Sequence, residues 1–491
     1  MTNLTEHDWL RVTARARPNG LALITGGQQY TYAHLHQKAE QVARWLHHHG
    51  LKAGDFAAVL MPNNAEYVFV IHALARLGAV IIPLNTRLTT EELRWQMQHT
   101  HCRFLIYNAQ TQARAAALSD LSTTVSIESL PAVPTSDLTT QTHIQSDQLQ
   151  SIVFTSGTSG HPKAAMLTWG NHFWSATASA FRLGVLPGDR WLCVLPLYHV
   201  GGLAIILRSA LYGTAVVLHN GFDLDEIARS LHDNQITLIS LVPTMLYRML
   251  EAGIDFPPSL RLVLLGGAAA GADLIERCQR LGIPIAPTYG LSEACSQVAT
   301  LSPQDAARKP GSVGRPLSFT SVRVVDESGV DVPTGGYGEV VVRGPTVFSR
   351  YFDNPDANAR TLRDGDLYTG DIGYLDEDGD LWLVQRRSDL IVSGGENVYP
   401  AEIERVLKAY PGVADAAVVG LPNAEWGQIV AAAVVLKEGQ TLTPDDLIAY
   451  SRQHLAGYKQ PRRIEFVEAL PQTASGKVQR RELVSLFEVE Q

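Results

Sequence analysis

The chain predicts an α/β fold, with a large N-terminal domain of two α/β lobes plus a β-rich part and a small α+β C-terminal domain. Three observations carry this. The first half alternates helix-period apolar patterns with short Val, Ile and Leu runs, which marks layers built on largely parallel sheets. From about Ser312, short strand-like runs follow one another through tight turns, as in hairpins. The last hundred residues place two helix starts around two strand-like runs and look like a unit of their own. At 491 residues the chain has room for about three folding units.

Taken in order, Ala39, Val42, Ala43 and Leu46 fall at i, i+3, i+4 and i+7, the apolar stripe of a helix that ends near Gly50. Phe56 to Met61 and Ala79 to Leu84 are short and apolar throughout, as strands buried on both faces are. Ser321 to Val325, Gly338 to Arg343 and Leu381 to Val384 are separated by turns such as Glu327-Ser328-Gly329 and Asp376-Glu377-Asp378-Gly379. Pro400 opens a helix whose Ile403, Val406 and Leu407 share one face. Thr443-Pro444-Asp445-Asp446 reads as an N-cap followed by proline in the first turn, opening a helix through Leu455 that stops at Gly457. The runs Ala416 to Val419 and Ile429 to Leu436 lie between those helices. The expected division is residues 1–387 and 388–491, the second a mobile cap.

Composition narrows the partners. Apolar residues are 45% and charged residues 18%, so the chain folds rather than staying disordered. The net charge is −9, which argues against nucleic acid or anionic lipid as a partner held by the overall field. Cys102, Cys193, Cys278 and Cys295 form no CxxC pair, and thiols this sparse suit a reducing compartment. The N-terminus carries Glu6 and Asp8 and no apolar signal core, and runs such as Ile429 to Leu436 fall far short of the ~20 residues that span a bilayer. A cytoplasmic enzyme with no membrane span is expected, with a homodimer open. His47-His48-His49 looks like a metal tract, but successive helical residues point ~100° apart and cannot chelate together.

The strongest local signal is Thr155-Ser156-Gly157-Thr158-Ser159-Gly160-His161-Pro162-Lys163, directly after the strand-like Ser151 to Phe154. Two glycines allow a tight turn in which N–H groups and four hydroxyls face an anion, and Lys163 adds a point charge. It is not a Walker A loop, since only two residues separate the glycines. By composition alone the segment is also what a polar surface turn looks like. Its order, and its place after a strand, favour a phosphate cradle.

This segment resembles the phosphate loop of the adenylate-forming superfamily of acyl-CoA synthetases, adenylation domains and luciferases. Further segments match that family in order over nearly the whole chain. Pro196-Leu197-Tyr198-His199 is similar to its aromatic-histidine motif, and Tyr289-Gly290-Leu291-Ser292-Glu293 to YGxTE with Ser for Thr. Tyr368-Thr369-Gly370-Asp371 is similar to its TGD motif, Arg386-Arg387-Ser388-Asp389 to its hinge, and Pro471 to Lys477 to its PxTxxGK loop.

The resemblance implies ATP, Mg²⁺ and coenzyme A as cofactor and co-substrates, with a small carboxylic acid as the partner. Thr155, Ser156, Gly157, Thr158, Ser159, Gly160 and Lys163 would hold the β and γ phosphates. Ser292 would meet the α-phosphate, and Glu293 would hold Mg²⁺. Asp371 would take the ribose hydroxyls, assisted by Arg386. Thr288, Tyr289 and Gly290, with Gly266-Gly267-Ala268, would receive adenine, Tyr289 offering a flat face. Lys477 would bridge the acyl carboxylate and the α-phosphate. Ser388 stands at the hinge, where relatives often have Asp or Lys, and Gly394, Gly395 and Glu396 would line the thiol tunnel. Seven basic residues between 452 and 481 (Arg452, Lys459, Arg462, Arg463, Lys477, Arg480 and Arg481) face only Glu465 and Glu468 in that window. They form either a solvated face or part of a landing site for the phosphates of coenzyme A.

For the acid, the nearest resemblance is to the 2-succinylbenzoate–CoA ligase family of menaquinone biosynthesis. It is carried by Asp189-Arg190-Trp191-Leu192 with the following PLYHVGGL, by Tyr289 to Pro303, and by Arg386 to Glu402. A two-carboxylate acid needs a cation or several donors at the far end of its pocket. Arg208 after His199 is the candidate, with Ser296 and Gln297 as polar lining, although a pocket rim or a surface ion pair suits Arg208 as well. A fatty acyl- or aryl-CoA ligase would instead have an apolar pocket without that cation. An amino-acid adenylation domain would need an acidic anchor for the amine. An inactive nucleotide-binding protein would lack Glu293, Asp371 or Lys477.

Overall fold

The computed structural model describes residues 5–130, 143–155, 162–268, 270–385, 390–471 and 478–488. The chain forms two compact units. One comprises residues 1–86, 97–153 and 164–384, the other 87–96, 154–163 and 385–491.

Two large sheets organise the first unit among the described residues. The seven-stranded sheet has at its centre the strands Leu149–Thr155, Val80–Pro83, Phe56–Leu60 and Phe104–Tyr107. The pairings of Phe56–Leu60 with both neighbours are parallel, and its residues are almost wholly buried. That is why the run reads as continuously apolar rather than alternating. The larger sheet has a parallel half, Leu21–Thr25, Ala215–Leu218, Arg190–Cys193, Leu238–Leu241 and Leu262–Leu265. At Ile285–Leu291 the pairing turns antiparallel, and the sheet continues through Ser296–Thr300, Ser312–Pro316, Leu381–Gln385, Asp366–Leu375, Gly338–Arg343 and Ser321–Val325. The β-rich region expected from Ser312 is thus the antiparallel half of this sheet. Trp9, Trp45, Tyr67 and the buried faces of helices Tyr32–His48, Ala65–Leu77 and Val200–Tyr212 fill the largest core cluster.

The second unit carries its own core around Ile403, Val406, Leu407, Val418, Val434 and Leu447. Among the described residues its five-stranded sheet includes the long hairpin Val413–Asn423 with Gly427–Leu436, with Arg463–Phe466 parallel to the latter. Thr443 caps Pro444–His454 reciprocally with Asp446, the predicted helix start.

Part of the basic window is paired within its own unit. Lys459 is 3% exposed, its Nζ 2.6 Å from Glu92 and 2.7 Å from Glu402, two carboxylates of the same unit that lie outside the window in sequence. Arg463 pairs with Glu465, and Arg480 pairs with Glu404 at 2.7 Å. Three of the seven basic side chains are therefore answered by carboxylates, one of them by Glu465 of the window itself. Arg462 stays exposed, its guanidinium 5.6 Å from the Trp426 ring centre.

Candidate active site

The strand Ile285–Leu291 delivers Thr288, Tyr289 and Gly290, and a single helical turn, Ser292–Ala294, presents Glu293. The sequence folds this way because the hairpin closes extremely tightly. A Cβ at Gly290 would lie 1.6 Å from the carbonyl oxygen of Ser296, so only glycine fits. The ladder slips between Tyr289 and Gly290, and Cys295 and Ser296 turn the chain with φ of 52° and 95°.

Glu293 is half-buried. Its Oε1 accepts from the Tyr351 hydroxyl at 2.6 Å, and its main-chain carbonyl accepts from Phe348 N at 2.8 Å. Tyr351 lies on the two-residue strand Arg350–Tyr351, which pairs antiparallel with Lys163–Thr168 opposite Ala165. The hard carboxylate oxygens of Glu293 suit Mg²⁺.

Asp371 sits on Asp366–Leu375 just past Gly370, whose φ is 75°. Its Oδ2 accepts from the Tyr289 hydroxyl at 2.5 Å. The N–H of Gly370 donates to Glu339 Oε1 at 2.8 Å, and that of Asp371 to Thr369 Oγ1 at 3.1 Å. Tyr289 itself is 2% exposed and packed in a core cluster. It does not present the open flat face expected for adenine, because its ring fills the core while its hydroxyl holds Asp371. Gly266 ends the strand Leu262–Leu265 against Thr288, whose Cγ2 would be 2.7 Å from an added Cβ. Gly267 and Ala268 follow it, with φ of 81° at Gly267. Thr288 Oγ1 donates to Ala299 O at 2.9 Å and is 2.8 Å from Thr300 Oγ1.

His199 is the residue before helix Val200–Tyr212, its ring 4.7 Å from that of Tyr198. Along this buried helix lies Arg208, only 2% exposed. Its Nε donates to Ala204 O at 3.1 Å, and its Nη1 to Ser179 Oγ at 3.0 Å and to Gln297 Oε1 at 2.9 Å. Its guanidinium carbon lies 5.4 Å from the Trp191 ring centre. No carboxylate pairs with it among the described residues, and burial pushes its pKa below the ordinary arginine value. This excludes both the pocket-rim and the surface-ion-pair readings. Gln297 reaches on through Nε2 to Thr300 Oγ1 at 3.0 Å, so a polar chain runs from Arg208 to Thr288. Ser296 is half-buried and makes no bond to Arg208.

Thr155 ends its strand and Lys163 opens the next, with Thr155 Oγ1 3.5 Å from Lys163 O and Lys163 only 6% exposed. Gly394 and Gly395, with φ of 57° and 83°, turn the hairpin Ile391–Ser393 to Glu396–Val398. Glu396 is 3% exposed and 3.3 Å from Arg87 of the same unit, a pairing that ties up its charge. Ser156, Gly157, Thr158, Ser159, Gly160, Arg386, Ser388 and Lys477 lie outside the described residues.

Sequence reading missed Tyr351, Ser179, Glu339 and Asn63. Each acts on a residue at least 29 positions away, and no local pattern signals that. Asp376, Asp378 and Asp380 resemble a cation cluster, but the Lys309 ammonium sits 2.8, 2.7 and 2.5 Å from their oxygens and supplies the charge.

Residues 10–352 match the family model "AMP-binding enzyme", and residues 402–477 match "AMP-binding enzyme C-terminal domain". The 2-succinylbenzoate–CoA ligase of Bacillus licheniformis is 40% identical over 489 residues, 98% of this chain and all of that protein. Solved structures of o-succinylbenzoate CoA synthetase from Bacillus subtilis are similar at 37% identity and 98% of this chain. One is a double mutant with a product analogue (TM-score 0.95, 99% of that chain covered). Others hold the acyl-adenylate intermediate (0.78, 98%) and ATP with magnesium (0.77, 100%). This chain belongs to the AMP-binding enzyme family.

Proposed function

We propose that this chain is an AMP-forming acid–CoA ligase that converts 2-succinylbenzoate to its CoA thioester in menaquinone biosynthesis. The observation that carries the choice of acid is Arg208, a buried guanidinium with no carboxylate partner among the described residues, held by Ser179, Gln297 and Trp191 beside the Thr288–Glu293 hairpin. A cation kept dry and unpaired is costly, and a ligand carboxylate removes that cost. A fatty acid brings only the carboxylate that reacts, and a two-carboxylate acid brings a second one for Arg208.

In the first step a carboxylate oxygen attacks the α-phosphorus of ATP, forming the acyl–phosphate bond while the bond to pyrophosphate breaks. In the second, the thiol of coenzyme A attacks the acyl carbonyl, loses its proton, and expels AMP. Both reactants of the first step are anions, so positioning and positive charge do the work. Asp371, fixed by Tyr289, is assigned the ribose, and Ser292 the α-phosphate. The loop from Thr155 to Lys163 is assigned the β and γ phosphates, and Lys477 the carboxylate and α-phosphate together. Glu293, oriented by Tyr351, would hold Mg²⁺, which neutralises phosphate charge when bound. His199 is assigned to the acid side, Gly394 and Gly395 to the thiol path, and the segment around 387/388 to the boundary of a mobile C-terminal domain. Four unpaired, buried thiols support a reducing, cytoplasmic setting. Among the described residues no helix is long and apolar enough to cross a membrane. A homodimer is a further part of the proposal, and light scattering reads it.

The test is pyrophosphate release with CoA over 2-succinylbenzoate, benzoate, octanoate and palmitate. AMP and pyrophosphate in equal amounts, with 2-succinylbenzoate preferred by about 100-fold or more in kcat/KM, is expected. Equal or better rates with octanoate would refute the acid, and ADP as product would refute the reaction.

A further inference from the structure

Met61-Pro62-Asn63-Asn64 leaves the strand Phe56–Leu60, and its two asparagines have separate tasks. Asn64 caps the helix Ala65–Leu77, accepting from Tyr67 N at 2.8 Å. Asn63 is 6% exposed and commits its whole amide to the other large sheet. Its Nδ2 donates to Leu195 O at 3.0 Å and to His219 O at 3.1 Å, and its Oδ1 accepts from Leu197 N at 2.9 Å. Leu195 and Leu197 lie past the end of Arg190–Cys193, and His219 just past Ala215–Leu218.

The two leucines flank Pro196, which has no N–H to hold its own turn. The carbonyl of Pro196 accepts from His199 N at 3.2 Å and would lie 2.3 Å from a Cβ on Gly202. The turn therefore fixes the backbone of His199 and the entry of the helix that carries Arg208. All three bonds of Asn63 go to this turn or its neighbour. An asparagine supplies two donors and one acceptor from one planar group, which no aspartate or leucine of that size does.

We propose that Asn63 is a positioning residue for the acid: it fixes the Leu195–His199 turn, and through that turn the placement of His199 and the start of the Arg208 helix. This rests on the reading that His199 and Arg208 face the acid.

The test is a double-mutant cycle of Asn63→Ala, His199→Ala and the pair, scored as kcat/KM for 2-succinylbenzoate and KM for ATP. Asn63→Ala should lower kcat/KM for the acid by about 10- to 100-fold and leave KM for ATP within about twofold. The pair should be no more than about threefold below the worse single variant, since a ring that is gone needs no placing. Losses that multiply, or an equal loss on the ATP side, would assign Asn63 to general stability and overturn the proposal. Asn63→Ser keeps one hydroxyl donor and serves in the same cycle should the alanine variant not fold. An unchanged kcat/KM in His199→Ala alone would instead refute the acid-site reading, and the role of Asn63 with it.

Discussion

Arg208 is the residue whose energetics are least like those of an ordinary side chain. It is a full charge at 2% exposure whose partners are a hydroxyl, an amide oxygen, a carbonyl and an indole face. Removing it should relieve the protein before it harms the reaction. Arg208→Met should raise the unfolding free energy by about 1 kcal/mol or more, less what is lost at Ser179 and Gln297. Urea unfolding of the ligand-free variant checks this, and a destabilised variant would mean that the cation is already satisfied. The signal for this burial was present in the sequence. Val200 to Tyr212 is apolar on every side with a single charge in it, and a helix of that kind has no face to show to water. What the sequence could not supply were the partners, since Ser179 and Gln297 lie 29 and 89 residues away.

At the scale of the element, two tight approaches decide the site. The Gly290–Ser296 hairpin bends so that Glu293 projects from one turn, and Gly202 lets the first turn of its helix rest on Pro196. Gly202→Ala should push that helix start away from the turn, at a cost of about 1–3 kcal/mol in stability. It should also cost activity on the acid more than on ATP. Thermal unfolding together with the two KM values checks it, and a variant as stable as the parent would show that the turn yields. Strand and helix identities were largely legible because periodicity and caps are local, as at Gly338–Arg343 and at Thr443. The role of Tyr289 was not, because a ring that fills the core and a ring that receives a base have the same sequence. Its burial in the core and its bond to Asp371 separate them.

For the molecule as a whole, the order of motifs along the chain was legible and its internal charge pairing was not. The basic window around Lys459 is answered by Glu92 and Glu402, one of them 367 residues away. The same burial that hides charge also sets the acid limit of stability. Burial pushes the imidazoles of His72 and His219 down to about 4 and that of His172 down to about 3. They stay neutral in the fold, whereas the unfolded chain binds protons near pH 6.5. Their contribution is therefore complete above about pH 6.5 and is lost as pH falls toward 4, by about 1.4 kcal/mol per pH unit for each ring. The urea midpoint should fall between pH 7.5 and pH 5, and a midpoint that rises would contradict the neutral assignments.

The proposed function turns on Arg208 meeting the second carboxylate of the acid. The direct measurement is kcat/KM for 2-succinylbenzoate against an analogue in which the non-reacting carboxylate is a neutral ester, in the parent protein and in Arg208→Met. The parent should prefer the diacid by about 100-fold, and the variant should lose most of that preference. An equal preference in both proteins would contradict the claim.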